Sequence, residues 1–291
     1  MTGNISIADR RTGGRAITSR ALPVLLLAPA IAAIAVLFFV PILGLVWRSV
    51  SEPELGIQHY VRVFTDELTL TVLIRTLWTT VLVTVITLVL GFPYAYAMTV
   101  AGPRVRAVLI AIVMIPFWLS VMTRTFAWVV LLARGGPVSD LAAGVGIPDL
   151  TLLGSLAGAT IGMVQVLFPF MVLPLYSTMA GIDRNLLKAA GSLGAKGWTA
   201  MRTVFLPLAL PGVTAGMTLV FVLCVGFYIT PQLLGSPQNA LVAQLIGIRV
   251  LQLRDFAGAG AVSAVLIVLC VVLIAIASRS IKLTSMFGGR S

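Results

Sequence analysis

Few side chains in this sequence have the chemistry that catalysis or metal binding requires. His59 is the only histidine, and the two cysteines, Cys224 and Cys270, lie inside apolar runs. A catalytic nucleophile needs a base beside it, and a metal site needs several His, Cys or carboxylate ligands. Neither pattern occurs, so the sequence argues against an enzyme, and we interpret both cysteines as small hydrophobic residues.

One glycine-rich stretch could suggest a phosphate-binding loop. It contains Gly191, Gly194, Lys196 and Gly197. The spacing does not fit G-x-x-x-x-G-K-[ST], whose backbone amides cradle a nucleotide. The sequence therefore predicts no catalytic residue, no metal site and no cofactor in this chain.

The composition indicates a protein that lies in a lipid bilayer. Of the 291 residues, 59% are hydrophobic and 10% are charged, whereas soluble domains carry about 25% charged residues. The net charge of +11 is confined mostly to short segments between apolar runs. There it indicates membrane topology and not a nucleic-acid partner. We predict an all-α integral membrane protein in contact with lipid.

Six apolar runs exceed the roughly 17 residues needed to span a bilayer. They cover residues 21–47, 71–100, 107–132, 153–179, 210–234 and 257–278. The first is too long for a secretory signal, and residues 1–20 and 279–291 are predicted to be tails. Gly91 and Pro93 predict a break in the second helix. Glycines four residues apart predict close helix packing: Gly154, Gly158 and Gly162, then Gly212 and Gly216.

The charges alternate from one connecting segment to the next. Thirteen basic and two acidic residues lie in four segments, namely the two tails, 101–106 and 180–206. Five basic and seven acidic residues lie in the segments that alternate with these, 48–70, 133–152 and 235–256. Basic residues accumulate on the cytoplasmic side of membrane proteins. The pattern predicts that both termini are cytoplasmic.

The long connection at 181–207 has a helical pattern of its own. Asp183 or Asn185 can cap a helix start, and Gly194 can end the helix in a left-handed conformation. The apolar residues between them are predicted to share one face: Leu186, Leu187, Ala190 and Leu193. A second element is predicted to end at Pro207 and Pro211.

The spacing in this loop resembles the cytoplasmic loop of ABC-importer permeases. That family carries Glu-Ala-Ala, three residues, Gly, nine residues, Ile-x-Leu-Pro; this chain has Lys188-Ala189-Ala190, Gly194 and 204–207 (Val-Phe-Leu-Pro) at the same spacing. Lys188 reverses the charge of the family's glutamate. The resemblance implies a type I (MetI-like) permease fold in which Leu186–Gly194 docks into an ATPase subunit and couples ATP-driven closure to helix movement. The alternative to a docking role is that this helix only packs against the transmembrane bundle.

Further segments resemble spermidine/putrescine-type permeases. They are Gly91–Ala97, Pro116–Trp118, Arg124–Trp128 and Leu251–Asp255. The resemblance implies a bacterial inner-membrane importer with a second related permease, two ATPase subunits that bind ATP and Mg²⁺, and an extracytoplasmic solute-binding protein. Since no phosphate loop occurs here, the ATPase must be a separate chain. Ion-coupled transport usually places acidic residues within the membrane, and all nine here lie outside the apolar runs.

A few polar and aromatic residues are candidates for a solute pathway. Arg124 is a charge well inside a predicted helix, which is costly unless it faces protein or water. Phe227, Tyr228 and Gln232 adjoin Pro231, where the fifth helix is expected to be interrupted, and Trp128 follows Arg124. The alternatives are that Arg124 reaches the interface or bonds loop carbonyls, that Trp128 belongs to an aromatic belt, and that the others pack in the core. Arg75 is interpreted as an interfacial anchor.

The solute stays open at this stage. The resemblance suggests a polyamine as the solute. A polyamine binds best to carboxylates and aromatic faces, however, and no carboxylate lies within an apolar run. An amino-acid derivative or an opine is the alternative substrate of the same importer class. A passive channel is a remote alternative.

Overall fold

A computed structural model describes residues 18–147 and 150–287 of the chain, with side chains for 27–147 and 150–275. Every regular element in these residues is helical. The α-helices are α1 (Thr18–Ser51), α2 (Gln58–Thr65), α3 (Glu67–Val100), α4 (Pro103–Trp118), α5 (Val121–Leu132), α6 (Pro137–Gly144), α7 (Leu156–Ala180), α8 (Arg184–Ser192), α9 (Gly197–Ala200), α10 (Leu206–Val225), α11 (Ile229–Leu234), α12 (Val242–Leu251) and α13 (Phe256–Phe287). A π-helical turn, Met201–Phe205, joins α9 to α10.

Six segments of the described chain are long and apolar enough to cross a membrane. They are Leu27–Ser51, Glu67–Val100, Val121–Gly144, Leu156–Ala180, Gly197–Val225 and Phe256–Ala275. Their number confirms the six predicted crossings. The third segment combines α5 and α6, whereas the sequence placed the third crossing at 107–132, which corresponds to α4 and α5.

The core forms where α3, α7 and α10 pack closely. A methyl group built on Gly91 would lie 3.0 Å from the Met171 side chain, and one on Gly216 would lie 2.8 Å from the Met171 sulfur. Met171 itself is fully buried. Glycine therefore lets the backbones of α3 and α10 approach the Met171 side chain of α7. Gly154 is an exception to the predicted glycine interface, because it precedes α7 and has open space around it.

Threonines give α3 a polar buried face, on which several hydroxyls are satisfied within the helix and the Thr79 hydroxyl has no hydrogen-bond partner. The hydroxyls of Thr76, Thr84 and Thr87 donate to the carbonyl oxygens four residues earlier, at 2.7, 2.7 and 2.5 Å. In lipid a polar group must find its partner within the protein. These hydroxyls do so without leaving their own helix, so α3 can bury polar residues against α7 and α10.

Two predicted crossings are divided. The third ends as α4 at Trp118 and resumes as α5, because Leu119 and Ser120 adopt extended backbone conformations just after Pro116. The fifth, predicted at 210–234, begins earlier at Leu206 and stops at Val225 before the short α11. Prolines in or near these helices remove backbone donors, which favours such interruptions.

At other places the structure continues a helix where the sequence predicted a break or an end. The helix α3 runs through Gly91 and Pro93 without a break, because buried Ala95 and Met98 hold the segment beyond Pro93 in the same core. The second element of the 181–207 loop does not end at Pro207. The π-helical turn leads directly into α10, with the Leu206 amide bonded to the Met201 carbonyl five residues earlier. The last helix continues to Phe287, into the predicted tail.

Candidate functional site

The helix α8 has the ends that its sequence predicts. The Asp183 carboxylate accepts a hydrogen bond from the backbone N–H of Asn185 at 2.9 Å. This bond satisfies one of the free donors at a helix start. Gly194 has a φ of +87° just after the last turn, a conformation that glycine adopts without the steric cost of a Cβ. The predicted short helix is confirmed, and its limits are fixed by local hydrogen bonding.

Contacts of Arg184, Leu187 and Ile182 attach α8 and the residues just before it to the bundle. The Arg184 guanidinium donates to the Thr99 carbonyl oxygen at the end of α3. Leu187 and Ile182 pack against the core cluster that α3, α7 and α10 share. The same end of α3 is also bonded to α4, because Arg106 donates from Nε to the Met98 carbonyl at 3.1 Å. The helix α8 is therefore held against the end of the bundle and is not a free segment.

The outward side of α8 presents large apolar residues to solvent. Leu193 is 89% exposed and Trp198, which follows α8, is 76% exposed. We call these two, with exposed Leu186, Lys188 and Ala189, the α8 surface. Of the four residues predicted to share one apolar face, Leu187 packs against the core, whereas Leu186 and Leu193 are exposed. Sequence reasoning missed Trp198, although a lone tryptophan in a polar loop was a usable signal.

The α8 surface is connected to α10 through the π-helical turn. Phe205, at the end of this turn, is buried and meets Tyr96 of α3 edge to face, with ring centroids 5.3 Å apart. Met201, at its start, packs against the same core. Displacement of the loop must therefore displace α10 or break these contacts.

A second candidate site is a cavity of about 280 Å³ at the α4–α5 and α10–α11 links. Arg124 and Phe227 both line it, together with Phe117, Leu119 and Phe170. Arg124 is only 8% exposed. Its Nη1 donates to the Pro116 carbonyl at 2.8 Å, and its buried Nε has no hydrogen-bond partner. We call this the Arg124 cavity.

The hydrogen bond to Pro116 explains how α4 can stop inside an apolar segment. The carbonyls of the last helical turn have no partner within the helix. Arg124 supplies one donor across the break, from the first turn of α5. The sequence-based alternative was that Arg124 bonds loop carbonyls, but the carbonyl it bonds belongs to the last turn of α4. The same side chain also lines the cavity.

The other predicted pathway residues lie outside this cavity. Trp128 donates from Nε1 to the Gln165 side-chain oxygen of α7 at 3.4 Å. Gln232 accepts a hydrogen bond from Gln244 at 3.0 Å. Tyr228 lines a different depression and lies against Gly247 of α12. The structure thus brings Arg124 and Phe227 together and separates the other three from them.

Sequence reasoning missed a charged cluster at the opposite end of the bundle from α8. Arg249 of α12 lies 3.8 Å from Asp66 and 3.8 Å from Asp255, and it donates to the Thr69 hydroxyl at 2.9 Å. The Thr69 hydroxyl bonds the Asp66 carboxylate, and this bond, more than the Arg249 charge, holds the pKa of Asp66 below its ordinary value. The cluster joins the starts of α3 and α13.

Arg75, which the sequence indicated as an interfacial anchor, bonds a neighbouring loop. Its Nη1 donates to the Gln238 carbonyl at 2.5 Å and to the Ala240 carbonyl at 3.4 Å. The guanidinium therefore holds the 236–241 loop against α3. A surface lysine or arginine needs no such partner, so this contact could not be predicted from the sequence.

The described chain combines six apolar segments long enough to cross a membrane with a surface helix between the fourth and fifth and a cavity at two helix links. Broken helices around a cavity recur in membrane transporters. The sequence profile of the family described as binding-protein-dependent transport system inner membrane component matches residues 88–283. The chain belongs to this family. It is therefore an inner-membrane transport subunit of an ABC importer and not an enzyme.

Curated relatives agree with this assignment. The spermidine/putrescine transport system permease protein PotB of Haemophilus influenzae is 35% identical over 202 residues, which cover 69% of this chain and 71% of the relative. PotB of Escherichia coli is 29% identical over 229 residues, which cover 78% and 83%. The inner membrane ABC transporter permease protein YdcU of Escherichia coli is 30% identical over 226 residues, which cover 69% and 72%.

Solved structures share the fold. A bacterial ABC transporter involved in the import of the acidic polysaccharide alginate contains a chain with a TM-score of 0.68 and 19% identity, over 90% of this chain and 95% of that one. The MetNI methionine ABC transporter in an inward-facing conformation gives a TM-score of 0.52 at 20% identity, over 77% and 100%. The MetI-like permease fold expected from the loop is confirmed.

Proposed function

We propose that this chain moves a small solute across the inner membrane by ATP-driven alternating access. The observation that carries the proposal is the α8 surface, where Leu193 and Trp198 are exposed just after a helix that is attached to both α3 and α10. Exposed apolar patches of this kind mark sites where another protein binds. The ATPase subunit is the partner that we assign to this surface.

The residues with a coupling role are Leu186, Leu187, Lys188, Ala189, Ala190, Leu193 and Gly194. Closure of the ATPases pushes α8, and the Arg184–Thr99 bond transmits the displacement to α3. The π-helical turn transmits it to α10. Since Lys188 stands where the family has glutamate, an acidic residue on the ATPase is its expected partner.

The full assembly that we propose has five parts besides lipid. This chain pairs with a second related permease, two ATPase subunits and an extracytoplasmic binding protein. ATP and Mg²⁺ bind to the ATPases, and this chain binds neither. The basic residues at the α8 end support a cytoplasmic position for that end and for both termini.

The names of the relatives support a polyamine as the solute. Phe117, Phe170 and Phe227 would offer aromatic faces to a cation. The opposing observation is Arg124, a positive charge in the same cavity. An amino-acid derivative or an opine, which carries a carboxylate as well as an amine, is therefore the second candidate.

The decisive experiment is purification of this chain from native membranes in mild detergent, with mass spectrometry of the proteins that accompany it. We expect an ATPase and a second permease with the unchanged chain. Trp198→Ala should lose the ATPase and keep the second permease, since Trp198 belongs to the exposed α8 surface. Trp78→Ala, which removes another exposed tryptophan from α3, is the matched control and should keep both.

Absence of any ATPase from the unchanged chain's preparation would contradict the importer proposal and bring the passive channel forward. Retention of the ATPase by Trp198→Ala would contradict only the assignment of Trp198. Solute classes can then be compared on the purified complex by stimulation of ATP hydrolysis.

A further inference from the structure

The Arg124 cavity lies at two non-helical links, one just before the third apolar segment and one just after the fifth. Leu119 belongs to the extended link between α4 and α5, and Phe227 to the link between α10 and α11. The helix α7 contributes Val166, Leu167 and Phe170 to the lining. Interrupted helices at membrane depth are tolerated where they line a cavity, and they recur at solute sites.

The charge of Arg124 is not balanced by any acid in the part of the chain that the structure describes. The ion pairs found there join Arg48 to Glu52 and Arg249 to Asp66 and Asp255. The cavity lining contains no carboxylate. A buried cation is costly unless it is paired, and the one hydrogen bond to Pro116 uses a neutral acceptor.

The rest of the lining is apolar, which limits what can balance this charge. Three phenylalanines and several aliphatic side chains surround the guanidinium. Phe117 and Leu119 are about half exposed, so the cavity opens at their edge. Its volume of about 280 Å³ is close to the lower end for ligand pockets, roughly 300 Å³. A small ligand with one negative end and an apolar or planar body matches this lining.

We infer that the Arg124 cavity binds the carboxylate group of a small organic solute, with Arg124 as the group that recognises it. The guanidinium offers parallel N–H donors that suit a carboxylate, and the aromatic faces cover the remainder of the solute. This inference rests on the proposed transport function and specifies its substrate class. It favours an amino-acid derivative over a polyamine, because a purely cationic solute is repelled by Arg124.

A matched pair of probes tests this inference directly. We would place the full chain in lipid nanodiscs and follow 4-fluorobenzoate and 4-fluorobenzylamine by ¹⁹F NMR line broadening, with empty nanodiscs as the blank. The two probes have similar size and opposite charge. We expect saturable broadening of the benzoate alone, and loss of about tenfold or more of its affinity in Arg124→Gln, which corresponds to one charge-assisted contact.

Two further variants keep the result interpretable. Arg75→Gln also removes a helix arginine that donates to backbone carbonyls, but one outside the cavity, and it should bind benzoate normally. Leu223→Trp retains Arg124 and fills the cavity from α10, and it should lose benzoate even if Arg124→Gln fails to fold.

The outcomes separate this inference from the proposed function. Absence of benzoate binding, equal binding of the amine, or unchanged benzoate binding in both Arg124→Gln and Leu223→Trp would overturn the carboxylate site. None of these results depends on the ATPase, so the co-purification experiment would stand or fall independently.

Discussion

The guanidinium of Arg184 donates to the main-chain oxygen of Thr99, and this bond joins the first residue of α8 to the end of α3. The two residues are 85 positions apart in the chain. Because α3 also packs against α7 and α10 in the core, a displacement of α8 reaches the centre of the bundle. The contact gives the proposed coupling a physical route that can be tested.

Arg184→Ala should weaken coupling without preventing assembly. We expect the ATPase to remain bound while solute-stimulated ATP hydrolysis falls by roughly fivefold or more, the size of a modest coupling energy. The measurement is ATPase activity of the purified complex with and without solute. Arg202→Ala, which removes an exposed arginine from the π-helical turn, is the control; an equal loss in both variants would refute a specific role for Arg184.

Gly194→Pro should abolish coupling and leave membrane insertion intact. Proline fixes φ near −65°, whereas Gly194 requires +87° and also donates its amide to the Gly191 carbonyl. The turn after α8 would have to change direction. Gly197→Ala, in the same loop with no positive φ and open space around it, should behave as the unchanged chain. Normal solute-stimulated ATPase activity in Gly194→Pro would rule out our assignment of this loop.

Gly216→Leu should destabilise the bundle itself. A methyl group at Gly216 would already lie 2.8 Å from the Met171 sulfur and 3.2 Å from its carbonyl oxygen. Overpacking of this kind costs about 1–3 kcal/mol, and we expect a lower melting temperature in detergent. Gly44→Leu, at a helix position with open space around it, serves as the control. A melting temperature unchanged by Gly216→Leu would mean that α7 and α10 are less closely packed than described.

Asp66→Ala should reduce stability at neutral pH and have little effect in acid. Asp66 caps α3 by accepting the Thr69 amide at 3.2 Å, a contact worth about 1 kcal/mol. Because its pKa is lowered in the folded protein, chiefly by the Thr69 hydroxyl, the ionised form is stabilising. That contribution is present above the ordinary carboxyl pKa of 3.8 and is lost as the pH falls below it.

The measurement for Asp66 is the difference in melting temperature between the unchanged chain and Asp66→Ala, taken from neutral pH down to about pH 3. The difference should shrink as the carboxyl becomes protonated. Glu54→Ala, at an exposed loop position, provides the comparison. A difference that stayed constant with pH would show that the charge of Asp66 contributes nothing.

The sequence by itself determined that the protein lies in lipid, how many times it crosses the membrane, and where α8 lies in the chain. Long apolar runs can be stable only in lipid, and capping and glycine signals act over a few residues, so Asp183 and Gly194 could be identified from their neighbours. The spacing from Lys188 to Leu206-Pro207 could be compared with a known family without any contacts. These features depend on local chemistry, which a linear pattern records.

Only the tertiary structure decided where helices are interrupted and which side chains meet. Pro93 and Pro116 look alike in the sequence, yet buried Ala95 and Met98 hold α3 together beyond Pro93, while α4 stops near Pro116 and its carbonyl is bonded by Arg124. Which side of α8 faces outward was likewise set by contacts with α3 and the core. Such outcomes depend on residues distant in sequence, because packing and partner availability belong to the whole bundle.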